Sequence, residues 1–210
     1  MAVRPLRPAY VAAGPRPVTT RYTLPVISGD RLPTIDTPRL RLRWLTADDV
    51  PALFEIFGHP EVMAYWSSPP LENMAAAEAL LADIHGYFQA KTLFQWGIAR
   101  REDDRVIGTC TLHALSAGHR RAELGYAIAR AEWGKGYGSE AAGALVGYAF
   151  DVLDLHRLEA DVDPRNHASI RCLERLGFRK EGYARERYHL YGTVHDAVLY
   201  GLLRHERPPG

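Results

Sequence analysis

Long apolar runs are missing from this 210-residue sequence. No stretch approaches the roughly 20 residues that cross a bilayer, and the N-terminus lacks the apolar segment of a signal peptide, so no membrane partner and a cytoplasmic address are expected. Charge of one sign is missing too. Lys and Arg number 26 against 25 Asp and Glu, a formal charge of +1 that supplies no field for nucleic acid. Cysteine is scarce: Cys110 and Cys172 lie far apart, outside any CxxC spacing and inside segments with a buried pattern, which argues for small core residues rather than a disulfide or metal ligands. The nine histidines include no HExxH or other ligand spacing, so no protein-bound metal is expected.

What is present divides the chain. Residues 1–34 concentrate proline without a sustained period and read as an extended arm or tail. Residues 35–205 read as one domain, followed by a short tail at 206–210. From Leu40 the alternation of Leu40, Leu42 and Trp44 with arginines predicts a half-buried strand. "TADDVPALFEIFG" predicts a helix stopped by Gly58. Thr46 and Asp49 have capping-box spacing, but Pro51 would then sit one turn in, so Asp48 is the competing cap. A second helix is expected over 72–90, then an antiparallel meander of "LFQWGIAR", "RVIGTCTLHAL" and "RAELGYAIA". A helix from about Ser139 to Leu153, the strand "RLEADV", a helix over 168–176 closed by Gly177, and two final strands complete the order. A helix between "AELGYAIA" and "RLEADV" implies a parallel crossover.

The segment "WGKGYGS" carries three alternating glycines straight into a helix. Glycines at a helix start let backbone N–H groups approach a ligand, and the helix dipole adds about half a positive charge, a combination suited to phosphate. Spacing limits which phosphate. No glycine stands five residues before a GK[ST], which excludes a Walker cradle, and the loop follows an antiparallel meander rather than opening a doubly wound sheet, which argues against a dinucleotide.

"AELGYAIARAEWGKGYGSEAAGALVGYAF" followed by "RLEADVDPRNHASIRCLERLGFRKEG" resembles the cofactor motifs of the GCN5-related N-acetyltransferases (GNAT), and within them the RimJ/RimL branch that acetylates protein N-termini. The resemblance runs from about Ile35 to Arg204. It implies an α/β (α+β) GNAT fold: a mixed, mostly antiparallel central sheet with a parallel splayed strand pair and helices on both faces. It implies acetyl-CoA as cosubstrate, with the pyrophosphate on the N–H groups from Gly134 through Lys135, Gly136, Tyr137 and Gly138 to Ser139. Trp133 stands where the wider family has Gln or Arg. Lys135 either contacts a phosphate or is simply solvated. The Ile128 and Ala129 backbone would meet pantetheine, with the Ile128 N–H as oxyanion donor. Asn166 either contacts the cofactor or caps a helix.

Acetyl transfer to an amine needs a neutral nucleophile, a stabilised oxyanion and a proton for the departing thiolate. By resemblance Ser169 is placed as the acid, with helix capping as the competing reading. The base is open among Glu123, His189 and Tyr188, with a water-mediated route beside them. Tyr65, Trp66 and Glu61 are candidates for the acceptor entrance or for packing. The expected acceptor is a primary amine, chiefly a protein or peptide N-terminus. A small-molecule amine such as a polyamine or antibiotic, or acetyl-CoA binding without catalysis, are the alternatives, in a monomer or homodimer.

Overall fold

The structure, a computed structural model, describes residues 29–66, 68–190 and 192–208. Residues 1–28 of the expected arm and 209–210 of the expected tail lie outside the described residues. The end of that arm is packed, not loose: Leu32 is buried and the Pro33 carbonyl accepts the Trp96 indole N–H at 2.8 Å.

Eight strands form one sheet. β1 (Ile35–Asp36), β2 (Leu40–Arg43), β3 (Phe94–Arg100), β4 (Val106–Ser116) and β5 (Arg121–Ile128) are successive antiparallel neighbours. β6 (Arg157–Val162) joins β5 in parallel, and beyond it β8 (Thr193–Leu203) and then β7 (Arg179–Leu190) complete the order β1-β2-β3-β4-β5-β6-β8-β7. Strand alternation sorts the side chains. On β5, Leu124 and Ile128 join the core beneath one face of the sheet and Ala127 the core of the other.

Helices cover both faces. α1 (Val50–Phe57), α2 (Pro60–Met63) and α3 (Met74–Gln89) lie on the Ala127 side, while α4 (Tyr137–Asp151) and α5 (His167–Arg175) lie on the Leu124 side. Among the described residues no helix is long and apolar enough to cross a membrane. Cys110 and Cys172 are both free and buried, as their segments predicted.

Two details differ from the sequence reading. Thr46 opens a 3-10 turn over Ala47–Asp49, its N–H donating to the Asp49 carboxylate at 2.8 Å, and α1 starts only at Val50 with Asp49 as its cap. Pro51 therefore occupies the first turn, where no intrahelical N–H is required, and Asp48 is not the cap. α4 begins two residues before the expected Ser139, because Gly136 takes its N-cap in a left-handed conformation at φ +82°. Ala141, Ala142 and Ala149 are fully buried on α4, so small side chains let its axis lie close to the sheet.

Candidate active site

The parallel rungs between β5 and β6 stop early. Arg121, Ala122 and Glu123 pair with Arg157, Leu158 and Glu159, and no rung follows. Each strand meanwhile stays paired with its outer neighbour, β5 with β4 through Ile128 and β6 with β8 through Val162, so neither can turn to close the gap. The result is a wedge. The Ala129 N–H donates to the Ile107 carbonyl at 2.8 Å, and antiparallel alternation then turns the Tyr126 and Ile128 N–H groups away from β4 toward the wedge. Ala129 itself departs from its expected role. Its N–H is used by β4 and is not open to pantetheine, while its carbonyl accepts the Glu132 N–H at 2.9 Å and keeps one lone pair.

The glycine loop closes one end of this wedge. Gly134 at φ +79° and Gly136 at φ +82° occupy backbone that L side chains disfavour. The first intrahelical bond of α4 is Glu140 N–H to Gly136 carbonyl, which leaves the N–H groups of Tyr137, Gly138 and Ser139 without intrahelical acceptors. Gly138 presses on β5, since a Cβ there would lie 3.5 Å from both Ile128 and Tyr126 side chains. These features fit an anion at the helix start. Arg39 straps the loop from a distance of about a hundred residues in sequence. Its Nε donates to Glu140 at 2.6 Å, its Nη1 donates to the Lys135 carbonyl at 2.9 Å, and its guanidinium lies 4.7 Å from the Tyr137 ring centroid.

Two expected contacts in the loop are redirected. The Lys135 ammonium pairs with Glu132 at 2.8 Å, and Glu132 is itself nearly buried, so Lys135 is neither solvated alone nor aimed at the helix start. The Trp133 indole N–H donates to the Ile128 carbonyl at 2.7 Å, with the Arg130 guanidinium over its ring, so its polar atom serves β5 rather than a phosphate. Arg175 on α5 brings a cation that the sequence reading did not single out, donating to the Ser139 hydroxyl at 3.3 Å.

At the depth of the wedge, Asn166 Oδ1 accepts the Ser169 N–H at 3.1 Å and thereby caps α5, which was the competing reading of that residue. The Ser169 hydroxyl does not cap. It lies 3.0 Å from the Tyr126 hydroxyl, and burial pushes that phenol far above its ordinary value, so it stays protonated. Tyr126 is a residue that the sequence reading did not single out. Its hydroxyl was missed because a partner 43 residues away leaves no local signal.

The opposite face of the wedge carries Glu123, whose carboxylate is 3.9 Å from His113 Nδ1. Tyr188 is not placed to act as a base. Its hydroxyl donates to Asp161 at 2.7 Å, and burial together with that carboxylate holds the phenol up at about 12. His189 follows Tyr188 in regular strand register and so projects from the other face of β7, away from Asp161. Trp66 packs edge-on against Phe57 at 5.7 Å, while Glu61 pairs with Arg130 at 2.8 Å and the Arg165 guanidinium lies 5.8 Å from the Tyr65 centroid. The segment after α2 thus reaches from the loop side of the wedge to the turn that follows β6.

Residues 39–179 match the acetyltransferase (GNAT) domain family. The chain is 37% identical over 172 residues to an uncharacterized N-acetyltransferase, YoaA, of Bacillus subtilis, covering 82% of this chain and 97% of that protein. It is 28% identical to spermidine N(1)-acetyltransferase of Escherichia coli K12, covering 80% of this chain and 87% of the relative. A solved structure of a putative ribosomal-protein-serine acetyltransferase from Vibrio cholerae superimposes with a TM-score of 0.70 at 25% identity, covering 81% of this chain and 97% of that one.

Proposed function

The chain belongs to the GNAT acetyltransferases and is an N-acetyltransferase that uses acetyl-CoA, and from that premise we propose that its acceptor is the α-amine of a peptide or protein. The observation that carries this reading is how few carboxylates on the acceptor face are free. Glu159 is taken by Arg121 and Arg157, Asp163 by Arg165, and Glu61 by Arg130. A polyamine needs several spaced anions, whereas an N-terminal amine brings one cation and a side chain. A recess of about 100 Å³ lined by Phe57, Met63, Trp66, Leu71, Leu80 and Gln95 suits a small first side chain. Its Gln95 shares a sheet row with Thr111 and Gly125.

In this reading the pyrophosphate rests on the N–H groups of Tyr137, Gly138 and Ser139, with Arg175 beside them. Pantetheine extends along β5, meeting the Ile128 N–H first, because Ile128 is nearer the loop, and the thioester oxygen then accepts from the deeper Tyr126 N–H. The neutral amine attacks the carbonyl carbon. As the tetrahedral oxyanion collapses, the C–S electron pair leaves with sulfur, and the Ser169 hydroxyl, held by Tyr126, donates a hydrogen bond to the departing sulfur and passes it a proton that solvent replaces on the serine. Asn166, by capping α5, positions Ser169. Glu123 and a bridging water accept the proton lost by nitrogen, since the Tyr188 hydroxyl keeps its proton on Asp161 and His189 projects from the other face of β7.

The test is mass spectrometry of a panel incubated with acetyl-CoA: peptides with free and blocked N-termini, a lysine-bearing blocked peptide, and spermidine. A gain of about 42 Da, an acetyl group replacing hydrogen, is expected on free N-termini. Acetylation of spermidine in preference to every peptide refutes the acceptor assignment and leaves the acetyl-CoA site untouched.

A further inference from the structure

The acceptor face of the wedge holds a carboxylate oxygen with nothing to bond. Glu123 and Glu159 are opposite each other in the last parallel rung, and two residues further along each strand, on the same face, stand Gly125 and Asp161. Asp161 therefore borders the wedge across from the one β5 position that has no side chain. The space above Gly125 is open: a Cβ there would meet nothing nearer than His113 Nε2 at 3.8 Å. The Asp161 side chain is only 12% exposed. Its Oδ2 accepts from the Tyr188 hydroxyl at 2.7 Å and from Arg187 Nε at 3.2 Å. Its Oδ1 is the one buried side-chain nitrogen or oxygen without a hydrogen-bond partner among the described residues.

β7 is distorted in a way that maintains this arrangement. Its register with β8 passes from Ala184↔Ala197 to Tyr188↔His195, four residues against two, and Glu186 inside that bulge takes a left-handed φ of +51° with its N–H donating to Asp196 at 2.8 Å. Such a bulge re-aims side chains, here Arg187 and Tyr188, onto Asp161 Oδ2. They orient the carboxylate and leave Oδ1 unused, at a cost to the folded state, because a buried charged acceptor without a donor is unfavourable. Of the other acids nearby, Glu159 and Asp163 are paired with arginines, Asp196 accepts from Tyr183 and from the Glu186 N–H, and Glu123, 3.9 Å from His113, is a part-exposed carboxylate rather than a buried one.

We infer that Asp161 Oδ1 is the seat of the acceptor's primary amino group, which arrives as an ammonium, is held at the wedge beside Gly125 through a charge-assisted hydrogen bond, and gives one proton to water before the neutral amine attacks. The assignment rests on the wedge being the site of acetyl transfer, and not on which amine is acetylated. Asp161 is thereby a specificity-determining residue, favouring a singly charged amine head over neutral or anionic nucleophiles.

Asp161→Asn tests it in the full chain, because it keeps the shape and an acceptor for Tyr188 while removing the charge. Three quantities are measured: acetyl-CoA affinity by calorimetry, the thermal midpoint, and steady-state kinetics with whichever of a serine-initiated hexapeptide, a lysine-bearing blocked peptide or spermidine is turned over fastest. Expected are unchanged acetyl-CoA affinity, a midpoint equal to or above wild type, and an acceptor KM raised about tenfold or more with a smaller fall in kcat. Asp161→Glu should recover part of the KM. A lowered midpoint with unchanged acceptor KM marks Asp161 as structural and overturns the inference. Absence of acetyl-CoA binding in the wild type overturns the wedge reading and this inference with it, whereas intact binding with an unchanged acceptor KM overturns this inference alone.

Discussion

Replacing Gly136 by alanine or by aspartate separates backbone strain from charge at the helix start. Its backbone lies at φ +82°, and a Cβ placed there meets only the flexible end of Arg39 at 3.4 Å. Either residue therefore introduces left-handed strain of about 1–2 kcal/mol without a backbone clash. For a domain of this size that lowers the thermal midpoint by about 2–8 °C in both variants. Only aspartate adds a charge. With its carboxylate ~5 Å from a phosphate, repulsion is about 0.8 kcal/mol under full water screening and about 3 kcal/mol at an effective dielectric near 20. Acetyl-CoA affinity then falls by about 4-fold to about 200-fold. Calorimetric titration of acetyl-CoA into both variants, at ~50 mM and ~500 mM salt, gives the comparison, and the aspartate penalty should shrink at high salt. If both variants bind acetyl-CoA equally, the pyrophosphate is not on the first turn of α4.

Three further outcomes are expected. Arg43 donates through both Nη atoms to Asp49 at 2.8 and 2.9 Å and keeps Asp104 as a second partner, so Asp49→Ala removes two charge-assisted bonds without leaving the guanidinium unpaired and should cost about 1.5–3 kcal/mol, or about 3–12 °C of midpoint in thermal scans. Burial raises the Asp49 carboxyl, but the bonds from Arg43 and Thr46 outweigh it and hold the group below its ordinary 3.8. Its stabilisation is therefore present above about pH 4 and lost as pH falls through the lower folded value, so wild type and variant should converge in acid, and a gap that persists unchanged refutes the pairing. Tyr126→Phe leaves Ser169 without its partner and should lower kcat by about 2- to 10-fold, the worth of a neutral hydrogen bond, with little change in acetyl-CoA affinity. If the two hydroxyls act together, Tyr126→Phe with Ser169→Ala is no worse than Ser169→Ala alone, and strict additivity in kcat argues against it. Trp133→Phe removes the donor to the Ile128 carbonyl and should weaken acetyl-CoA binding by about 2- to 10-fold while abolishing most of the tryptophan fluorescence change on titration.

Much of the fold was legible because its signals are local. The alternation Leu40, Leu42 against Arg41, Arg43 predicts β2, and both leucines are fully buried while the arginines are not. The run of alanines and leucines marks α3, whose observed span Met74–Gln89, capped by Asn73, falls inside the expected 72–90. What resisted was also local in cause. Thr46 and Pro51 make conflicting demands on one turn, and the chain resolves them with a 3-10 turn that a single capping rule does not anticipate. The short α2 and the two-residue β1 carry too few residues for any period to register.

In the site, glycine spacing pointed to the backbone of the loop, since a left-handed N-cap is a property of Gly136 and its immediate neighbours. The side chains around it were different. Lys135 turned to Glu132 and Trp133 to the Ile128 carbonyl, both within five residues, yet sequence spacing outside a regular helix carries no direction. Tyr188 was one of three residues among which the base stayed open. The bulge in β7 made it a donor to Asp161 instead, and burial keeps its proton on.

Sequence by itself determined the order and type of the longer elements and the helix-start glycines, because backbone conformation and hydrophobic period are set by each residue and those near it, and its resemblance to a family implied the class of cofactor. Only the tertiary structure decided which charges are spent and which remain. Arg39 reaches Glu140, Ser169 reaches Tyr126, and Asp161 keeps one oxygen unpaired beside Gly125. Those outcomes depend on where β5 and β6 part and how β7 bends, and such distances exist only once the sheet has closed around them.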